Sequence, residues 1–258
     1  MADNPTRVDA LLVAGGKYHD IDFARRELLG LLGEHEHLRV SVDSTYENTA
    51  ALERCSLLVS YTCDVRPSEA AQAEIRSWVE AGGRWLALHG TNSALDLGGP
   101  DGVDAPRVFP LWAETLGSQF VAHPPIQPYT VETTDADHWL VAGVGEFDTD
   151  DELYCMEYHH PDQLVPLLHT TWTGECKGFV EAEWAESGWT EPDRHLVQYL
   201  RPLGGGEILY NTLGHCRGHW DMAPIAEYYP RVERCSWDKP QYYELLRRAI
   251  RWGLGETA

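Results

Sequence analysis

Apolar residues fall into short blocks along the chain, separated by polar stretches rich in glycine and proline. Residues 8–14, VDALLVA, form the first block and read as a buried strand. Ala24, Leu28, Leu31 and Leu32 recur at helical spacing, and Gly33 ends that helix. Residues 38–42 alternate as a second strand, Asn48 is placed to cap a short helix, and residues 56–61, SLLVSY, read as a third strand. Pro67, Ser68 and Glu69 open a helix whose inner face carries Ala71, Ile75, Trp78 and Val79. Gly82 and Gly83 stop it, and residues 85–88 form a fourth, buried strand. Strand and helix alternate with short connections, the pattern of a doubly wound, mostly parallel α/β sheet.

The second half is less regular. Residues 95–107 form a Gly/Pro/Asp loop long enough to be functional. A short helix is expected over 109–116, a strand over 129–133 and a loop over 136–147. The acids of DTDDELY, 148–154, precede a strand, and His159 and His160 sit in a strand-like run. Further strands are expected over 164–170, 178–185, 195–200 and 207–211, the last two joined by a hairpin-like turn at 202–206. An aromatic-rich loop runs to Trp237, followed by a helix over 241–252 with Tyr242, Leu245, Leu246 and Ala249 on one face. No repeat or linker divides the chain, so residues 1–258 read as one domain.

Composition narrows the function classes. Hydrophobic residues make up 43%, enough for a sizeable core. No apolar run approaches the ~18 residues of a membrane span, and no basic leader opens the sequence, so a cytoplasmic protein is expected. A net charge of −21 repels phosphate backbones and argues against nucleic acid. The six cysteines form no C-x-x-C pair and are expected as free thiols, with Cys55 and Cys63 as core filler around the third strand. The loop after the first strand lacks G-x-G-x-x-G, so no nucleotide cofactor is expected.

The chemistry concentrates in histidines at strand ends. His19, His89 and His215 each follow an expected strand within a few residues, and in a parallel sheet such ends share one rim. Glu152 is placed to reach the same rim. Three imidazoles and a carboxylate could bind a divalent metal such as zinc, through His19, His89 and His215, or form an acid/base set. On either reading His89, His215 and Glu152 are the candidate catalytic residues. Candidate substrate contacts are His19, Asp20, Asn92, His123, Tyr154, His219 and Trp220; the last two lie in the expected lid, where a sugar ring could stack on the indole. His138, like His123, shapes its loop or touches substrate. Cys216, beside His215, is the one candidate for a covalent thiol mechanism.

Together these motifs resemble one family. The Tyr18-His19 loop, the elbow from Gly82-Gly83 to Leu88-His89-Gly90, His123-Pro124, Asp137-His138, Asp151-Glu152-Leu153-Tyr154, and Gly206 to Tyr210 leading into Leu213-Gly214-His215 resemble the ThuA-like, trehalose-utilisation proteins across nearly the whole chain. The resemblance implies a flavodoxin-like fold of the class I glutamine-amidotransferase-like superfamily, with extra loops and strands in the second half. In amidotransferases the elbow carries a cysteine; His89 stands there instead, so glutamine hydrolysis is not expected. His215 looks like the counterpart of the late histidine. The resemblance further implies action on a disaccharide or keto-sugar in carbohydrate catabolism, by hydrolase, lyase or isomerase chemistry. The alternative is a non-catalytic carbohydrate-binding or assembly domain on an enzyme's fold. Aromatic loop residues and the apolar last helix add the expectation of a homo-oligomer. Two departures bear on substrate rather than fold: Trp139 follows His138 where the family often has proline, and the 95–107 loop is longer than usual.

Overall fold

The computed structural model describes residues 6–99, 102–135, 137–180, 193–223 and 225–256. The first half follows the periodicity closely. Strand β1 (Val8–Gly16) leads to helix α1 (Ile21–Leu32), then β2 (Leu38–Asp43), β3 (Leu57–Cys63), α2 (Glu69–Glu80) and β4 (Arg84–Leu88). Each helix starts at a side-chain cap: Asp20 accepts the Phe23 N–H, and Ser68 accepts the Ala71 N–H.

The continuous apolar runs reflect burial on both faces of the sheet. Ala10, Leu12 and Ala14 of β1 face one core with Leu57, Val59 and Tyr61 of β3 and Leu86 and Leu88 of β4. Leu11 and Val13 face the other with Leu58, Trp85 and Ala87. Helix α1 and the last helix, α4 below, cover the first face, and α2 covers the second.

Where an open loop was expected over 95–107, β5 (Asp96–Gly99) pairs antiparallel with β6 (Gly102–Asp104). Helix α3 (Pro110–Leu116) follows, then β7 (Ser118–Ala122), β8 (Gln127–Thr133), β9 (Phe147–Asp151) and β10 (Cys155–Tyr158). The acidic stretch was expected before a strand, and part of it is the strand itself. Phe147, Thr149 and Asp151 point inward while Asp148 and Asp150 face solvent, so acids occupy both faces and hide the period of two. His159 and His160 lie beyond β10, not within it; His160 takes a positive φ of 52° in the turn before Pro161. Strands β11 (Val165–Thr171), β12 (Arg194–Leu203) and β13 (Gly206–Asn211) precede α4 (Pro240–Gly253). Of the strand expected over 178–185, residues 181–185 lie outside the described residues; Phe179 pairs with Val103 as an isolated bridge.

Among the described residues nine strands form one sheet in the order β2-β1-β3-β4-β13-β12-β11-β8-β9. The first five run parallel. From β13 onward the extra strands of the second half extend the sheet antiparallel. The carboxyl ends of β1, β3, β4 and β13 therefore lie side by side on one rim. Among the described residues no helix is long and apolar enough to cross a membrane.

Candidate active site

Backbone strain collects along that rim. Tyr18 (φ 65°), Asp64 (φ 54°) and His89 (φ 47°) follow β1, β3 and β4 with positive φ, a conformation that costs a non-glycine residue energy. At β4 the chain turns sharply through His89 and Gly90. A Cβ at Gly90 would meet the Thr62 carbonyl oxygen at 2.6 Å and the Cys63 Cβ at 2.9 Å. Gly90→Ala should therefore destabilise the fold by about 1–3 kcal/mol through overpacking, read as a lower melting temperature.

The strand ends bring His19, His89 and His215 together with Glu152 from the loop after β9. All four are buried. His19 Nε2 lies 2.9 Å from His89 Nε2. Glu152 Oε2 is 3.4 Å from His89 Nε2 and 3.9 Å from His19 Nε2, and Oε1 is 3.0 Å from His215 Nδ1. One nitrogen from each histidine and a Glu152 oxygen lie within 4.8 Å of one another.

The outer nitrogens settle which way the lone pairs point. His19 Nδ1 lies 3.1 Å from the Lys17 carbonyl and His89 Nδ1 lies 2.7 Å from the Thr212 carbonyl. A carbonyl only accepts, so both Nδ1 atoms carry hydrogen, and in the neutral rings both Nε2 atoms carry lone pairs. His215 Nε2 donates to Glu233 Oε2 at 2.9 Å, so when the ring is neutral its Nδ1 carries the inward lone pair. That Nδ1 is close to Glu152 yet out of line for a hydrogen bond, and it is buried without a partner. In their neutral forms three imidazoles thus aim a lone pair at the point the carboxylate faces, each ring fixed from behind; His215 must give up a proton to do so. This is how histidines are held around a metal, and the donor set suits zinc.

Charges around the point reinforce each other. Burial and the neighbouring His89 and His215 hold His19 well below the ordinary histidine range. Burial opposes ionisation of Glu152, but His123 and His215 outweigh it and hold the carboxyl well below its usual range. Burial pulls His215 down, while Glu152 and Glu233 push it up to about 9. Arg217 bonds Glu233 at 3.0 Å, approaches Glu152 Oε1 at 3.7 Å and donates to the Tyr18 carbonyl at 3.1 Å.

A cavity of about 290 Å³ lies over this centre, walled in part by His19, Glu152, His123, Tyr154, Phe120 and Arg217. It shares six wall residues, among them Tyr18, Leu97 and Met222, with an outer vestibule of about 1010 Å³. His123 Nδ1 donates to the Pro124 carbonyl at 2.7 Å, and Nε2 lies 3.5 Å from Glu152 Oε1. Burial keeps His123 below the usual histidine range. The Tyr154 ring packs on His89, centroids 4.8 Å apart.

Four expected substrate contacts sit elsewhere. Asp20 caps α1 and pairs with Arg234 at 2.9 Å, so its carboxylate is committed to structure. Asn92 is turned under the elbow and donates to Ser118 Oγ at 2.8 Å. His219 bonds the Tyr229 carbonyl, and Trp220 is 68% exposed against Tyr228; neither walls the cavity. Their segment reaches it through Met222 and Ile225 instead. His138 accepts the Leu140 N–H and shapes its own turn. Cys216 is bonded to Tyr61 and the Asp20 carbonyl, and burial pushes its thiol up to about 12. Iodoacetamide at pH 8 should label Cys216 only after denaturation, read by peptide mass.

Three residues that sequence reasoning missed build the site. Glu233 and Arg217 brace His215 and Glu152. Asp151, fully buried, accepts four backbone N–H groups, from Glu152, Gly214, His215 and Ser236. Asp151 opened the DELY motif, but nothing in its spacing revealed the loops it gathers.

Comparisons with known proteins agree with this architecture. A search of curated proteins finds no match. Among solved structures, a ThuA-like protein from Bacteroides uniformis superposes with a TM-score of 0.67 at 14% identity, covering 99% of this chain and 95% of that one. A second, from Parabacteroides merdae, gives 0.61 at 15% identity, covering 98% and 92%. A cold-adapted β-galactosidase from Rahnella sp. R3 gives 0.55 at 13% identity, covering 96% of this chain but 31% of that one. At such identities these likenesses concern the fold alone. The family model described as "ThuA: Trehalose utilisation" matches residues 9–229, and the chain belongs to that family.

Proposed function

We propose that the protein is a metal-dependent enzyme acting on a sugar derivative, by hydrolase, lyase or isomerase chemistry, in the utilisation of trehalose or a related disaccharide. The observation that carries this reading is the set of three fixed imidazole lone pairs and the Glu152 carboxylate aimed at one buried point. His19, His89, His215 and Glu152 would hold the ion. A bound divalent ion supplies Lewis acidity to a carbonyl or hydroxyl oxygen.

The chain's own groups do the rest. His123 presents an unprotonated Nε2 toward the cavity and can take a proton from the substrate. Arg217 keeps positive charge beside Glu152. Phe120, Tyr154 and Phe179 line the cavity with apolar surface for the C–H side of a sugar. A cavity of about 290 Å³ suits a single ring. The vestibule leaves room for the second ring of a disaccharide or for a glycosidic substituent.

Elemental analysis of protein purified without chelator is the test. One divalent metal per chain is expected, with turnover of a keto-sugar or glycoside panel that stops on chelation and returns with added metal. Failure to bind zinc or manganese at millimolar concentration, or turnover indifferent to chelator, would overturn the reading. The bound ion should also compete with protons. In the metal-free protein His215 holds its proton up to about pH 9, so apparent affinity should rise with pH toward that value. Metal uptake at pH 7 should release protons, measurable in weakly buffered solution.

A further inference from the structure

Cys155 and Cys176 lie apart from the metal-facing atoms, yet they sit behind one wall of the cavity. Their sulfurs are 3.6 Å apart and both thiols are free. Cys155 begins β10, and Cys176 lies in the loop after β11. Both are wholly buried in a small cluster with Val121, Ala122 and Leu153. From Thr171 to Val180, Cys176 is the one fully buried residue; its neighbours are partly or fully exposed. The loop is thus pinned to the body through that thiol and, just after it, through backbone bonds between Val103 and both Gly178 and Val180. Lys177, Gly178 and Phe179 follow directly and wall the inner cavity, and Phe179 bridges to Val103 on β6.

We propose that Cys155 and Cys176 form an oxidant-sensitive dithiol site, whose conversion to an intramolecular disulfide clamps residues 177–179 against the cavity. The proposal stands on the sulfur geometry and does not need the metal. The oxidant is hydrogen peroxide. The Cys176 thiolate attacks a peroxide oxygen, the O–O bond breaks, and with one proton taken up a water leaves, giving Cys176 sulfenic acid. The Cys155 sulfur then attacks the Cys176 sulfur, the S–O bond breaks, and a second water leaves with the Cys155 proton. Two thiols and one hydrogen peroxide give one disulfide and two waters. The adjacent Cys155 group lowers the Cys176 pKa, which favours Cys176 as the attacking sulfur. The exposed residues 173–175 just before Cys176 let that side of the loop open locally, whereas Cys155 is held in a strand pair with β7.

The experiment treats the intact protein with hydrogen peroxide, and in a parallel arm with diamide, before alkylation in denaturant. Free thiols should fall from six to four, with a single cross-linked peptide joining Cys155 to Cys176. Trypsin should cut after Lys177 more slowly in the oxidised protein, and dithiothreitol should reverse both effects. In Cys176→Ser the remaining thiols and the tryptic rate should ignore the oxidant. Six surviving thiols, a disulfide between any other pair, or unchanged cleavage after Lys177 in the cross-linked protein would each overturn the proposal.

Discussion

On the proposed function, His89→Ala should leave a folded protein that no longer holds zinc and has lost at least about a hundredfold in turnover. His89 Nε2 is one of the two nitrogens that face each other across the centre, and no other side chain at the elbow can replace it. Without it, His19 keeps its lone pair but loses the opposing donor. The fold should survive because β4 is held on both sides by β3 and β13. The substitution does remove the bond from His89 Nδ1 to the Thr212 carbonyl and the packing of Tyr61 and Tyr154 on the ring. His89→Gln, which retains bulk and a polar end, separates that loss from the loss of a ligand. Metal analysis, circular dichroism and turnover of the same samples decide the matter. Full metal occupancy with unchanged turnover in both variants would remove His89 from the mechanism.

Asp151→Asn should cost about 3 kcal/mol or more of stability and weaken metal binding with it. Each hydrogen bond to a charged acceptor contributes roughly 1.5–3 kcal/mol, and this carboxylate accepts four. An asparagine keeps one acceptor oxygen and turns an NH₂ group toward backbone donors, so buried N–H groups lose their partner. Two of those donors belong to Gly214 and His215, and another to Glu152. The substitution therefore loosens two metal-facing side chains at their backbones without touching their side-chain atoms. Denaturant unfolding and zinc titration of the variant measure the two effects. A stability change under about 1 kcal/mol with unaltered zinc affinity would show that the loops hold without it.

The parallel half of the fold was legible because its rules are local. Residues 85–88 read as a buried strand from their apolar run, and Ser68 read as a helix start from its position before the periodic face; both stand in the structure. The second half was harder to read. In β9 aspartates occupy inward and outward positions, so hydropathy carries no alternation. Asp151 is tolerated inside because backbone N–H groups surround its carboxylate, a fact of tertiary contact. Asp20 and Asn92 make a related point: position beside a candidate histidine says nothing about where a polar side chain points, and these two turn to the α1 cap and to Ser118. Asp20 could have been recognised as the α1 cap from its place before the helix.

The sequence alone determined that His19, His89 and His215 would share a rim, because a strand's end is set by where its apolar run stops and parallel strands end on one side. It also determined the family, through motifs spread across the chain. The tertiary structure alone decided that the three rings meet Glu152 with one ligand atom from each within 4.8 Å of the others, and that carbonyls and Glu233 fix the rings from behind. Ring orientation depends on partners such as Lys17, Thr212 and Glu233, and for His89 and His215 the partner is brought in by another part of the fold. Periodicity places a residue along its own element; it carries no information about what the rest of the chain will set behind it.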